Sequence, residues 1–135
     1  MKDRAAGILL HITSLPSKYG IGCFSESAYD FVDWLKGAGQ TYWQILPIGP
    51  TSYGDSPYQS FSTFAGNPYF IDLDLLVKDH LLEKKDLKDL EVKDSRYVDY
   101  GHLYETRYLL LHKAYEKGEE LYAEEFKEFI SKNKA

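Results

Sequence analysis

The first fifty residues contain a strand, a helix and a second strand, and this order leaves few ways to fold. Residues 7–13, GILLHIT, form a nearly continuous apolar run, which is typical of a strand buried on both faces. Residues 41–50, TYWQILPIGP, are rich in aromatic and β-branched residues and predict a second strand that ends at its prolines. A βαβ unit requires parallel strands, so the C-terminal ends of both strands lie on one side of the sheet.

The helix between the strands is predicted from its apolar spacing. Ser25 can serve as the N-cap, and Gly37 marks the C-terminal stop. Four apolar residues recur at i, i+3, i+4 and i+7: Ala28, Phe31, Val32 and Leu35. Ligands of open α/β sheets and β/α barrels bind at the C-terminal ends of the strands, so the loops that follow the two strands are the expected site.

The stretch after the second strand, residues 52–70, combines the composition of a loop with that of a core. Its sequence is SYGDSPYQSFSTFAGNPYF, with six aromatic residues: Tyr53, Tyr58, Phe61, Phe64, Tyr69 and Phe70. A sugar packs its C–H face on a flat apolar ring, while short polar side chains bind its hydroxyls. The mixture of aromatic, Ser, Asp, Gln and Asn residues therefore favours a carbohydrate site.

The same rings could instead form a small core beneath the loop. Phenylalanine strongly prefers burial, so we expect four of the rings to pack in this way: Phe61, Phe64, Tyr69 and Phe70. Tyr53 and Tyr58 stand in the Gly/Pro/Ser segment SYGDSPYQS, where little apolar sequence is available to cover them. For these two tyrosines, binding and packing stay open as alternatives.

The pattern changes after residue 70. The segment FIDLDLL, residues 70–76, alternates apolar and polar positions and predicts a half-exposed strand with Asp72 and Asp74 facing solvent. A charged connection follows. Two helices are then predicted, with Tyr104, Tyr108, Leu111 and Tyr115 on one face of the first and Phe126, Phe129 and Ile130 on one face of the second. No C-cap precedes Ala135, so we expect the chain to be a piece of a longer one.

Composition narrows the classes of function. The net charge is -5 with a pI near 5.3, and no basic cluster is present, which argues against a nucleic-acid partner.

The single cysteine, Cys23, cannot form an internal disulfide and is expected to be buried. The first residues carry too short an apolar run for a signal peptide or a membrane span, so a cytoplasmic location without membrane contact is expected. The four histidines lack metal-ligand spacing, so no metal is predicted.

Three stretches together resemble one enzyme family. They are GILLHITSLPSKYGIG, YWQILPIGPTSYGDSPYQSFSTFAGNPYFIDLDLL and VDYGHLY, and the resemblance runs from about residue 4 to about residue 108. The chain is similar to the N-terminal part of the amylomaltase family, the 4-alpha-glucanotransferases or disproportionating enzymes. These motifs are long and specific, although the charged connection in the middle matches only loosely.

The resemblance implies a fold and a division of the chain. Members have a (β/α)8 barrel with inserted subdomains and use no cofactor, and a barrel of about 250 residues exceeds this chain of 135. The fold class is therefore α/β, the N-terminal part of a TIM barrel. Residues 1–70 would hold the first βαβ unit and the aromatic substrate loop. Residues 71–135 would form an inserted peripheral subdomain, a strand and then helices.

The resemblance also implies the reaction and the contacts. Members transfer α-1,4-glucan segments between chains by retaining double displacement, with catalytic carboxylates on later barrel strands that match no segment here. Tyr58 would stack on the glucose ring at the cleaved bond, with Ser56 and Gln59 beside it as hydrogen-bond partners. Tyr53 and Tyr104 are candidates for a second glucan contact farther out. The implied partner is a maltooligosaccharide or a starch- or glycogen-type α-1,4-glucan.

Other polar residues near the predicted site are expected to be structural. Asp55 lies in a Gly-Asp-Ser-Pro turn, where aspartate commonly bonds its own backbone. His11 ends the first strand and is expected to satisfy a core hydrogen bond, although a sugar hydroxyl is the alternative partner. Trp43 is expected in the core. No residue of the chain is assigned as catalytic, so a non-catalytic α-glucan-binding module is an alternative function, and an interaction fragment with its rings in a partner interface is another.

Overall fold

The computed structural model describes residues 4–88, 90–92, 94 and 96–134. Its two strands, β1 (Gly7–Leu9) and β2 (Tyr42–Gln44), pair in parallel, with Ile8 opposite Trp43. Helix α1 (Glu26–Gly37) connects them. The predicted βαβ order and the parallel pairing are therefore confirmed.

Both strands are shorter than the sequence predicts. The chain leaves β1 for a 3₁₀ turn at Ile12–Ser14, and β2 ends before Pro47. The expectation that the first strand is buried on both faces is wrong for Leu9, which is 58% exposed. Among the described elements α1 packs on one face of the strand pair, so side chains on the other face stay open to solvent.

Helix α1 buries the predicted apolar stripe only in part. Ala28 and Leu35 are buried, whereas Val32 is exposed. Phe31 is half-buried and packs against Trp43 of β2, with the ring centroids 5.0 Å apart. Trp43 is itself half-buried, and its indole Nε1 donates to the Leu10 carbonyl at 2.7 Å.

The predicted strand at residues 70–76 is wrong. A 3₁₀ turn, Pro68–Phe70, is followed by helix α2 (Leu73–Lys78). Asp72 is buried rather than solvent-facing, and its Oδ1 accepts from the Leu75 amide at 3.0 Å and so caps α2. Asp74 is exposed, as expected.

Two helices follow in the last third of the chain, as predicted. They are α3 (Tyr100–Leu121) and α4 (Ala123–Lys132). The predicted tyrosine face of α3 flanks a different buried face, formed by Leu103, Arg107 and Ala114. The apolar face of α4 is exposed. Within the described residues, no helix is long and apolar enough to cross a membrane.

Buried side chains form three clusters. The first contains Ile12, Leu15, Ala28 and Phe70, the second Leu73, Leu82, Leu87 and Ala114, and the third Ile21, Tyr69 and Leu103. Cys23 is a buried free thiol, as expected. The third cluster joins the loop after β1, the end of the aromatic stretch and α3. This packing brings α3 against the loops at the C-terminal ends of the strands.

Candidate functional site

The aromatic stretch begins as a closed loop after β2. Thr51 and Ser60 form an isolated antiparallel bridge, and the Ser52 hydroxyl donates to the Gln59 carbonyl at 2.8 Å. At the tip, Gly54 and Asp55 both have positive φ, 92° and 54°, which reverses the chain within a few residues. The loop is thus tied at its base by backbone and hydroxyl contacts.

Three of the predicted binding residues share one turn of this loop. The Ser56 hydroxyl accepts from the Tyr58 amide at 3.3 Å, and the Ser56 carbonyl accepts from the Gln59 amide at 3.1 Å. The Tyr58 ring is 71% exposed and Tyr53 is fully exposed. Ser56, Tyr58 and Gln59 therefore lie together, with the Tyr58 ring open to a ligand.

The expected packing of the other four rings is half correct. Tyr69 and Phe70 are buried, as predicted. Phe61 and Phe64 are 75% and 100% exposed, so the prediction that they form a core under the loop is wrong. The Asn67 amide donates to the Ile48 carbonyl at 3.0 Å, and Phe61 and Phe64, which precede this bond, lie outside the described core clusters.

A cavity of about 180 Å³ lies where the loop meets the strand ends. Its wall includes His11, Asp55, Asn67, Phe70 and Tyr100. Nδ1 of His11 accepts from the Leu46 amide at 3.3 Å, so the expected core hydrogen bond is present, and burial lowers the histidine pKa. His11 is therefore a neutral ring at pH 7 that also borders the cavity.

Asp55 contributes a carboxylate to this cavity. The described hydrogen bonds close its turn through the backbone, because the Asp55 amide donates to the Ser52 carbonyl at 3.0 Å, in place of the predicted side-chain bond. Burial, and then the charge of Asp55, raise the pKa of Tyr100. Burial and Tyr108 raise the pKa of Tyr69 to about 12. Both phenols are hydrogen-bond donors at neutral pH.

Tyr104 lies on α3, one turn after Tyr100. Its ring is 71% exposed and packs edge-on against Tyr108, with centroids 5.7 Å apart. Tyr104 thus lies on a different element from the loop, one helical turn beyond Tyr100 of the cavity wall. Among the described residues, none of the five predicted binding residues lines the cavity itself, whereas Asp55 and Pro57 from the same loop do.

A wider cleft of about 800 Å³ opens between the loop after β1 and α2. Four of its polar groups bond in pairs: the Tyr19 hydroxyl donates to Asp74 at 2.7 Å, and the Ser25 and Ser27 hydroxyls are 2.7 Å apart. Ser25 occupies the predicted N-cap position of α1 without capping a backbone amide. Since these groups already have partners, the cleft presents fewer open donors and acceptors than its size suggests.

The geometry suits ligand binding more than bond cleavage. Retaining glycosyl transfer needs two carboxyl groups about 5 to 5.5 Å apart, and Asp55 is the carboxylate that the described residues place on the cavity. No group of three or more His, Cys, Asp or Glu suited to a metal ion occurs in the part of the chain that the structure describes.

The sequence analysis missed two residues of the cavity wall, Asn67 and Tyr100. The second of these lies in VDYGHLY, a motif already singled out.

Exposed rings and polar groups at the C-terminal ends of two parallel strands make this chain part of an α/β protein with a candidate ligand site at those ends. The family model Glyco_hydro_77, described as 4-alpha-glucanotransferase, matches residues 10–135. The chain belongs to this family of 4-alpha-glucanotransferases.

Individual relatives agree with the family match. The chain is 60% identical over 115 residues to a 4-alpha-glucanotransferase of Streptococcus pneumoniae, an alignment that covers 84% of this chain. It is 53% identical over 126 residues to one of Clostridium butyricum, which covers 93% of this chain. A solved amylomaltase from Streptococcus agalactiae in complex with acarbose superposes with a TM-score of 0.89 at 45% identity and covers 96% of this chain. The resemblance seen in the sequence is therefore confirmed. The chain spans 23% and 26% of the lengths of the two relatives and 27% of the solved chain.

Proposed function

We propose that this chain supplies substrate-binding loops to a whole protein that transfers α-1,4-glucan segments from one glucan chain to another. The observation that carries the proposal is the close superposition on an amylomaltase that was solved with acarbose, together with a loop whose rings stand open at the strand ends. The substrate would be a maltooligosaccharide or a starch- or glycogen-type glucan. The one free, buried thiol is compatible with the expected cytoplasmic location.

The proposed reaction is a retaining double displacement. A carboxylate attacks the anomeric carbon while a carboxylic acid protonates the departing oxygen, and an acceptor hydroxyl then takes the covalent glucosyl intermediate from the same face. Both carboxyl groups would come from parts of the whole protein outside this chain. The contribution of the chain would be to hold the sugar and to keep water poorly placed.

Each binding residue has a proposed role. Tyr58 would form a platform under the glucose at the cleaved bond, because its ring is exposed while its backbone is fixed by Ser56. Ser56 and Gln59 would bind hydroxyls of the same sugar. Tyr53 and Tyr104 would hold glucan farther along the chain.

The two strands would be the first two of a (β/α)8 barrel. The parallel pairing of β1 and β2 through α1 is the repeating step of such a barrel, and the open face at Leu9 provides the surface that further elements would cover. The helices after residue 70 would then be an insertion into the barrel.

The test compares the whole protein with the isolated 135-residue chain on maltotriose. The whole protein should release glucose and form longer maltooligosaccharides, whereas the isolated chain should do neither, because it lacks the carboxylate pair. Redistribution of maltotriose by the isolated chain would contradict this division of roles. Amylose binding by both proteins without transfer by either would favour the alternative, a non-catalytic glucan-binding module.

A further inference from the structure

Arg107 is a buried cation inside the fold. Its side chain lies on the core-facing side of α3 and is only 2% exposed. Arginine is almost never fully buried unless it is paired, since removing its charge from water is costly. Burial of this side chain therefore calls for specific partners.

The partners are two backbone carbonyls at the end of the aromatic stretch. Nη2 of Arg107 donates to the carbonyl of Tyr69 at 3.1 Å and to the carbonyl of Ile71. Nε and Nη1 have no hydrogen-bond partner among the described residues, so the hydrogen bonds of this guanidinium are concentrated on these two carbonyls. Burial lowers the pKa of Arg107, whereas the nearby Asp72 carboxylate favours the charged form of the arginine.

The two carbonyls flank Phe70, which forms part of the cavity wall. The Phe70 ring packs edge-on against His11, with centroids 5.7 Å apart, and the Phe70 carbonyl accepts from the Phe24 amide at 3.1 Å. Arg107 holds the backbone on one side of Phe70, and Phe24 holds it on the other. The segment that closes the substrate loop is thus clamped between α3 and the loop after β1.

We propose that Arg107 is a positioning residue, which fixes the Tyr69–Ile71 segment so that Phe70 and His11 keep the shape of the cavity beneath the substrate loop. This inference rests on the proposed function, since the cavity is taken to border the glucan site. Simple space filling would be met by an unbranched apolar side chain. Holding two carbonyls requires a donor at this position.

The test uses Arg107→Met and Arg107→Lys in the whole protein. For Arg107→Met we expect the KM for maltotriose to rise about tenfold, the factor that 1.4 kcal/mol represents, with kcat within threefold of wild type. For Arg107→Lys, which keeps a charged donor without the planar fork, we expect a twofold to fivefold rise. Leu87→Ala is the matched control, because it removes a buried side chain from a different cluster and should lower the melting temperature without changing KM.

The kcat of each variant is calculated per folded, active molecule. The folded fraction is measured by circular dichroism and the active fraction by active-site titration. Unchanged KM in both arginine variants would refute the positioning role. If Arg107→Met does not fold, the lysine variant decides alone, and a wild-type KM in that variant would refute the role. No transfer by the wild-type protein would refute the proposed function and the inference with it. If the wild type is active, the arginine variants test the positioning role of Arg107 alone.

Discussion

Replacing Tyr58 with alanine in the whole protein tests the central claim about the loop. The ring is 71% exposed, and the Ser56 hydroxyl holds its amide, so truncation removes a free surface without opening a core. A sugar stacked on this ring would cover about 40 to 60 Å² of apolar surface, which corresponds to about 1 to 1.5 kcal/mol at roughly 25 cal/mol per Å². That loss alone weakens binding by about tenfold.

A second contribution arises only at the barrier. The oxocarbenium-like transition state carries positive charge that the bound substrate lacks, and an aromatic face beside it adds roughly 0.5 to 2 kcal/mol. Tyr58→Ala should therefore lower kcat as well as raise KM, because part of the lost interaction exists only in the transition state. Tyr58→Phe should keep most of the activity if stacking dominates, and lose much of it if the hydroxyl is the important contact.

The assay follows glucose release and chain redistribution from maltotriose, so that hydrolysis and transfer are measured together. Tyr29→Ala is the matched control, since Tyr29 has the same 71% exposure but lies on α1, and we expect its kcat and KM to stay within twofold of wild type. If a folded Tyr58→Ala protein keeps wild-type kcat and KM, the ring is not a platform. The binding role of the loop would then have to rest on Tyr53 or be abandoned.

Two further predictions concern the fold around the site. Asp72→Ala should lower the free energy of unfolding by about 1 to 2 kcal/mol in urea titration, because it removes the cap on the Leu75 amide. Asp74→Asn, two residues further on and exposed, keeps an acceptor for the Tyr19 hydroxyl and should cost less than about 0.5 kcal/mol. Equal losses would contradict the capping role. Burial, and then Asp72, raise the pKa of the Cys23 thiol to about 11 from an ordinary 9.0, so at pH 8 native protein should react with iodoacetamide at least about 100-fold more slowly than urea-unfolded protein. Equal rates would show that the thiol is accessible and unshifted.

The βαβ order was predictable because its signals are local. A continuous apolar run, a 3.6-residue stripe and a second run that ends at prolines each depend on neighbours in sequence, and β1, α1 and β2 appear in that order. Strand length was not predictable in the same way. Residues after Leu9 and Gln44 are apolar enough for a strand, yet they turn away toward the cavity, where His11 and Leu46 bond to each other.

The error at residues 70–76 has a specific cause. Alternation of apolar and polar residues over seven positions is weak evidence for a strand. The same sequence is compatible with a short helix once Asp72 acts as the N-cap. The burial of Leu73 then follows from the helix, which turns it into the cluster with Leu82 and Leu87. An aspartate directly before a short apolar run can act as an N-cap, and Asp72 in this position was the sequence signal that favoured a helix over a strand.

Arg107 shows what sequence patterns cannot supply. On a helical wheel it is a charged residue among apolar ones, and nothing local indicates that its partners are the carbonyls of Tyr69 and Ile71, more than thirty residues earlier. The exposure of Phe61 and Phe64 is a similar case, since composition favours burial but the described fold leaves those rings outside its clusters. Both outcomes depend on long-range placement.

The loop combines a fixed backbone with open rings, and this combination has an energetic consequence. Its base is closed by the Thr51–Ser60 bridge, and its far end is tied through Asn67 to the Ile48 carbonyl and through the Tyr69–Ile71 carbonyls to Arg107. Ordering a loop on binding costs conformational entropy, and a backbone held in place beforehand avoids most of that cost. A sugar bound on these rings, as proposed, would therefore cost little conformational entropy beyond that of the ligand itself. The aromatic residues therefore stay exposed at a point where the fold has already restricted the chain, which is the arrangement expected of a binding surface rather than of a core that failed to close.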